Sequence, residues 1–102
     1  MGLILVLVTF PDEKSANNIV DEVLERKLAG CILTTEVSSA YFWQNEKQND
    51  EEIVSLFKTN DSNVDHLEKY ILENHPYEVP AIIKLNASAN ADYENWLTSN
   101  IS

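Results

Sequence analysis

The order of β-rich runs and apolar helical stripes constrains the fold of this chain more than any other feature. Residues 3–10 form an apolar, β-rich run that ends at Pro11, and this pattern predicts a central strand. An apolar stripe at helical spacing predicts the helix that follows; its members are Ala16, Ile19, Val20, Val23, Leu24 and Leu28. We expect Asp12 or Ser15 to cap this helix, and Gly30 to end it in a left-handed conformation.

The rest of the chain predicts a hairpin, a second helix and a fourth strand. Residues 31–43 are rich in β-branched and aromatic side chains and predict a long strand, and residues 52–59 predict the strand that returns. We expect the polar residues 44–50 to turn the chain between them. A second apolar stripe predicts a helix that Pro76 stops; its members are Val64, Leu67, Ile71 and Leu72. Residues 79–85 predict the fourth strand. A short C-terminal helix follows, marked by Tyr93, Trp96 and Leu97.

This order of elements, β-α-β-β-α-β with a terminal helix, is typical of the α+β class and of the ferredoxin-like fold. It predicts one domain over residues 1–102, with a four-stranded antiparallel sheet and two helices on one face. The hairpin is longer than such a sheet needs and carries Tyr41, Phe42 and Trp43. Because exposed aromatic ribbons normally pack against a partner, we expect a symmetric oligomer.

Charge, glycine content and cysteine content exclude several classes of function. The formal net charge of −10 repels phosphate backbones and anionic lipids, so we expect neither a nucleic-acid partner nor a membrane. Two glycines are too few for a Walker loop or a dinucleotide fingerprint, and Arg26 is the only arginine. We therefore expect no organic cofactor and no enzyme activity. The single cysteine, Cys31, and the lack of a secretory signal predict a reduced, cytoplasmic protein.

One segment offers metal ligands on a stiff loop. Residues 75–80 have the sequence HPYEVP, in which two prolines restrict the backbone on either side of three functional side chains. The imidazole of His75 and the carboxylate of Glu78 can therefore point at one cation, and imidazole suits copper, zinc or nickel. The alternative is a rigid connection between a helix and a strand that binds nothing.

Three further features have simpler interpretations. Cys31 is a candidate metal thiolate, although a lone cysteine in a strand is more often a small buried hydrophobic residue. Residues 61–65 have the oxygen spacing of a calcium loop, but His66 and Leu72 stand where such a loop needs glycine and glutamate. The acidic tip of the hairpin is interpreted as a solvated turn; its members are Glu46, Asp50, Glu51 and Glu52.

A series of motifs along the chain resembles the CutA family of divalent-ion tolerance proteins. The motifs are TFP at residues 9–11, LAGC at 28–31, YFW at 41–43, Glu52 with KT at 58–59, and HPYEVP at 75–80. Tyr93 and Trp96 resemble the closing helix of that family, so the similarity extends from residue 3 to residue 97. The chain departs from the family pattern at Val8 and Asn74, where some members carry a cysteine and a second histidine.

The resemblance implies a ferredoxin-like subunit in a compact homotrimer, similar to the PII signalling proteins, with long hairpins that cross between subunits. It also implies a role in tolerance to copper and other divalent cations, with no established reaction. By this resemblance, His75, Tyr77 and Glu78 lie at a cleft between subunits. Four more residues are expected to line the same region: Tyr41, Trp43, Glu52 and Lys58.

The residues and the resemblance leave two hypotheses open. The first is a cytoplasmic homotrimer that binds divalent metal ions, copper above all, through His75 and Glu78 with a small contribution from Cys31. The second is a PII-like trimeric signalling or scaffold module whose intersubunit clefts bind a small molecule or a partner segment. The residues that favour the second hypothesis are Tyr41, Trp43, Lys58 and Tyr77.

Overall fold

The computed structural model of the chain describes residues 2–102, which form four strands and three helices. The elements are β1 (Leu3–Phe10), α1 (Glu13–Glu25), β2 (Cys31–Trp43), β3 (Glu46–Asn60), α2 (Val64–Asn74), β4 (Ile82–Ala87) and α3 (Ala91–Ser99). All strand pairs are antiparallel, and the strands lie in the order β2-β3-β1-β4. The predicted α+β class and the four-stranded antiparallel sheet are confirmed. None of the helices in residues 2–102 is long and apolar enough to cross a membrane.

The core lies between one face of the sheet and helices α1 and α2. Side chains alternate between the two faces of a strand, so every second residue of β1 faces the same way. Those residues pack against the buried stripes of both helices. The core residues of β1 are Ile4, Val6, Val8 and Phe10, and those of the helices are Ala16, Ile19, Val23, Leu67 and Ile71. Asp12 caps α1 as predicted, because its Oδ1 accepts the Ser15 N–H at 2.8 Å.

The hairpin reverses earlier than predicted. Residues 44–50 were expected to form a turn, but β2 ends at Trp43 and β3 begins at Glu46. Gln44 and Asn45 alone make the turn, and both have positive φ, at 50° and 65°. Positive φ at both central residues is typical of two-residue hairpin turns, because that backbone twist matches the twist of the strands. The polar residues 46–51 therefore continue the strand and pair with residues 38–43.

The end of α1 differs from the prediction for Gly30. The left-handed residue is Lys27, with φ of 56°, and no described glycine has a positive φ. Gly30 is required for another reason. A Cβ at this position would lie 2.8 Å from Leu97 Cδ1 and 2.9 Å from the Leu97 carbonyl oxygen. The glycine therefore permits α3 to approach the start of β2 closely.

Three apolar residues lie at the margins of their predicted elements. Leu24 and Leu72 were assigned to the buried stripes but are about half exposed. Each lies about 100° around its helix from the buried residue before it, at the edge of the stripe. Val79 was assigned to the fourth strand but is almost fully exposed, and β4 begins at Ile82. Pro80 has no N–H for the sheet, so the ladder begins beyond it.

The second face of the sheet carries an apolar row that crosses all four strands. Leu33 pairs with Leu56, Leu56 with Leu7, and Leu7 with Ile83. Leu33 and Ile83 remain about half exposed, as does the neighbouring Leu85. Single exposed apolar residues are normal, but a contiguous row indicates an interaction surface.

Candidate functional site

An open groove of about 850 Å³ lies where the hairpin meets the segment between α2 and β4. Odd-numbered residues of β2 and even-numbered residues of β3 share one face of the hairpin, because the two strands pair in antiparallel register. That face forms one wall, and the segment after His75 forms the other. The lining residues are Thr9, Tyr41, Trp43, Gln48, Asp50, Glu52, Tyr77, Glu78, Val79 and Ala81.

Two tyrosines donate hydrogen bonds to two carboxylates in this groove. The Tyr77 hydroxyl donates to Glu52 Oε2 at 2.6 Å, and the Tyr41 hydroxyl donates to a carboxylate oxygen of Asp50. Burial and the bond to Glu52 raise the pKa of Tyr77, and the bond to Asp50 with some burial raises the pKa of Tyr41. Both phenols therefore remain protonated donors at neutral pH. The carboxylates keep further lone pairs that can accept from a ligand.

His75 lies behind the groove and uses both of its ring nitrogens. Nδ1 accepts the backbone N–H of Tyr77 at 3.0 Å, and Nε2 lies 2.8 Å from the Thr9 carbonyl oxygen. A carbonyl oxygen can only accept, so Nε2 carries the proton of the neutral ring and donates it there. The ring also stacks on Phe10, with centroids 4.8 Å apart and planes 16° apart. A metal can bind His75 only after one of these hydrogen bonds opens.

The structure brings most of the predicted site residues together and separates two of them. Tyr41, Trp43, Glu52, Tyr77 and Glu78 line the groove. Cys31 and Lys58 form a strand pair at the other end of the sheet, level with Leu5 of β1. The Thr9 carbonyl that binds His75 is four residues further along β1, or about 13 Å. Within one subunit, the structure therefore does not bring Cys31 or Lys58 to the groove.

Lys58 has a different set of partners. Its Nζ donates to the Tyr93 hydroxyl at 2.9 Å and lies 5.0 Å from the centre of the Tyr93 ring. The hydrogen bond to Tyr93 raises the pKa of Lys58, so the ammonium form is favoured. This contact fixes α3 against the sheet, in agreement with the close packing of Leu97 on Gly30.

The donors in the groove suit a divalent cation only in part. Asp50, Glu52 and Glu78 offer carboxylate oxygens, which calcium, magnesium and manganese prefer. Copper favours imidazole, and the imidazole of His75 is already committed. Within residues 2–102, no three His, Cys, Asp or Glu side chains are grouped so that they could hold a metal ion. A full set of protein ligands therefore needs donors from a second subunit or a change in the groove.

The contribution of the acidic hairpin residues was only partly anticipated. Asp50 and Glu52 were interpreted as part of a solvated turn, but both lie in β3 and bind tyrosines. The position of the hairpin turn decides on which face of β3 these two carboxylates lie. Once the chain reverses at Gln44 and Asn45, the register puts these carboxylates on the face that carries Tyr41 and Trp43.

Comparisons with known proteins agree on one family. The model of the CutA1 divalent ion tolerance protein family matches residues 4–100. A relative from Pyrococcus horikoshii, described as divalent-cation tolerance protein CutA, is 36% identical over 96 residues, covering 93% of this chain and 94% of the relative. A relative of the same description from Yersinia pestis is 37% identical over 100 residues, covering 96% of this chain and 84% of the relative.

Solved structures give the same result. The crystal structure of CutA1 from Pyrococcus horikoshii superposes with a TM-score of 0.92 at 34% identity, covering 97% of this chain and 98% of that one. The structure of CutA from Synechococcus elongatus superposes with a TM-score of 0.94 at 30% identity, covering 99% of this chain and 91% of that one.

Proposed function

Because this chain belongs to the CutA1 divalent ion tolerance family, we propose that it acts as a cytoplasmic homotrimer that binds copper or a similar divalent metal. The divalent-cation tolerance role follows from the family. Metal binding, the trimer and the cytoplasmic location are the proposal. The groove supports it most directly, since three carboxylates line it and no basic side chain among the described residues does.

The apolar second face of the sheet supports the assembly. The row from Leu33 through Leu56 and Leu7 to Ile83 is wide enough to bury a continuous surface against another subunit. Burial of such surface contributes about 25 cal/mol per Å². At the hairpin tip, Phe42 is 74% exposed. A partner subunit that covers both regions accounts for this exposure.

A matched pair of substitutions tests the assembly. Leu33 on the sheet and Leu72 on α2 are each 53% exposed. We expect Leu33→Asp to convert the trimer to monomers in native mass spectrometry, because a carboxylate would be buried without a partner. The Leu72→Asp variant, which adds the same charge outside this face, should remain trimeric. A trimer that survives Leu33→Asp, or a monomeric parent protein, would contradict the proposed assembly.

For the metal, Glu78 and Glu52 are the first ligands that the groove offers, and His75 joins them if its bond to Tyr77 or Thr9 opens. Cys31 lies too far away within the subunit to contribute. Metal binding in this arrangement needs deprotonated carboxylates, so uptake should fall in acid.

The experiment is native mass spectrometry of metal-stripped protein titrated separately with copper, zinc and calcium. We expect about one ion per subunit, as a site with carboxylate ligands would give. Glu78→Gln should lose this uptake. Glu51→Gln removes the same charge from the exposed, opposite face of β3 and should keep it. A trimer that takes up no ion, or equal uptake by the two variants, would refute metal binding in the groove.

A second candidate function is a PII-like signalling or scaffold module that binds a small molecule in the groove. One observation favours it: the groove has about 850 Å³ and aromatic walls, which is within the usual size range of small-molecule sites and much larger than one metal ion needs. The ligand titrations described below test this candidate separately from metal uptake.

A further inference from the structure

The groove combines aromatic and acidic side chains and lacks basic ones among the described residues. Its charged and aromatic members are Tyr41, Trp43, Tyr77, Asp50, Glu52 and Glu78. Val79 and Ala81 extend the apolar part of the wall. The rings of such a surface can contact an apolar body, and its carboxylates attract positive charge. One ligand with both features would therefore match it.

The tyrosine hydroxyls strengthen the attraction of this surface for a cation. Tyr77 donates to Glu52 and Tyr41 donates to Asp50, so both hydroxyl hydrogens are turned away from an incoming ligand. A phenol that donates to an anion has a more negative ring face, and a cation within about 6 Å of a ring centre is attracted to that face. Trp43, the best type of ring for this interaction, lies in the same groove and is 64% exposed within the subunit.

The size and charge of the groove argue against other ligand classes. A single metal ion contacts only a small part of about 850 Å³ and makes no use of the aromatic walls. An anion is repelled by the three carboxylates and by a chain with a net charge of −10. A neutral apolar molecule leaves the carboxylates without a partner, which costs affinity when they are desolvated.

We propose that this groove binds an organic cation, namely an amine or quaternary ammonium group carried on an apolar body of small-molecule size. The proposal rests on the small-molecule candidate above and is independent of metal uptake. The charged group lies beside Glu52 and the rings of Tyr41 and Tyr77, and the apolar body extends along the groove wall towards Val79, Ala81 and Trp43.

The test uses three probes of similar shape and different charge: benzyltrimethylammonium, neutral benzyl alcohol and anionic benzoate. The chain has two tryptophans, and only Trp43 lines the groove. The Trp96→Phe substitution therefore leaves Trp43 as the only source of tryptophan fluorescence. Each probe is titrated into metal-stripped protein while Trp43 fluorescence is recorded. We expect a saturable response to the cation, binding of benzyl alcohol that is about tenfold weaker, and no response to benzoate.

Two glutamate variants separate groove binding from general attraction to an acidic protein. Glu52→Gln keeps an acceptor for Tyr77 and should weaken cation binding about tenfold, a cost of about 1.4 kcal/mol. Glu51→Gln removes the same single negative charge from the other face of β3 and should leave affinity within about twofold. Equal effects of the two variants would overturn the proposal, because binding would then follow net charge alone.

The probes also distinguish failure of this inference from failure of the functions it extends. Benzyl alcohol that binds as tightly as the cation would overturn the ligand class and leave a small-molecule site in place. No response to any probe would overturn both, as expected if a second copy of the chain fills the groove. Metal uptake and trimer mass are measured on the same samples by native mass spectrometry. These two measurements test the metal and trimer proposals independently of the probe titrations.

Discussion

Replacing His75 with alanine should destabilise the protein by about 3 kcal/mol, whether or not any metal is present. Two hydrogen bonds are lost, from Nε2 to the Thr9 carbonyl and from the Tyr77 N–H to Nδ1. Each contributes about 1 kcal/mol. The stacking of the ring on the fully buried Phe10 contributes about 1 kcal/mol more. These three losses add up to the expected cost.

The chain supplies its own control, because its only other histidine is His66. His66 is exposed on α2, and His66→Ala should change the free energy of unfolding by no more than about 0.5 kcal/mol. Urea unfolding of both variants and the parent is compared at one protein concentration, since assembly makes apparent stability depend on concentration.

A second measurement reports the hydrogen bonds directly. Two-bond ¹H–¹⁵N correlation spectra of metal-free protein should show His75 as a neutral ring with its proton on Nε2. A His75→Ala variant that is as stable as His66→Ala would refute the packing argument. A spectrum with the proton on Nδ1 would also refute it, since that form cannot accept the Tyr77 N–H.

Two further changes test the groove and the packing of α3. The pKa of Tyr77 is raised in the folded state, so its stabilisation is complete below the unfolded value of about 10 and is lost as pH rises through the folded value. The free energy of unfolding in urea should therefore fall less in Tyr77→Phe than in the parent protein as the solution is made alkaline. Parallel curves of this free energy against pH for the two proteins would contradict the prediction. Gly30→Ala should cost about 1–3 kcal/mol by overpacking against Leu97. It should also speed hydrogen exchange of the α3 amides, and unchanged exchange would contradict the contact.

The sequence predicts the core of the fold well because burial is encoded locally. The strands β1 and β2 begin and end at the predicted residues, since the apolar and β-branched runs stop at Pro11 and at the polar run that begins with Gln44. The outer part of the hairpin, at residues 46–51, was not predicted as strand. Its residues do not line a core within the subunit, so no apolar alternation marks residues 46–51 as a strand. Gln44 in a left-handed conformation gives no turn signal of the kind that glycine would give.

The site depends on contacts between distant parts of the chain, which explains why only part of it was predictable. The Tyr77–Glu52 bond exists because one strand register puts Glu52 on the groove face, and a slip of one residue would turn that side chain away. Local sequence also cannot show that Cys31 pairs with Lys58 at the far end of the sheet. Both residues belong to the segments that resemble motifs of the family, yet such a resemblance alone does not place side chains together.

The position of His75 affects how any metal experiment on this chain is interpreted. His75 holds the Tyr77 backbone, the Tyr77 hydroxyl binds Glu52, and Glu52 lines the groove. Loss of metal uptake in His75→Ala would therefore follow equally from a lost ligand and from a displaced wall. Glu78 has no part in this series of contacts and lines the groove directly, so Glu78→Gln tests ligation without removing the support that His75 gives. If Glu78→Gln loses its ions and keeps the stability of the parent protein, the loss reports a missing ligand in the groove and not a displaced Tyr77.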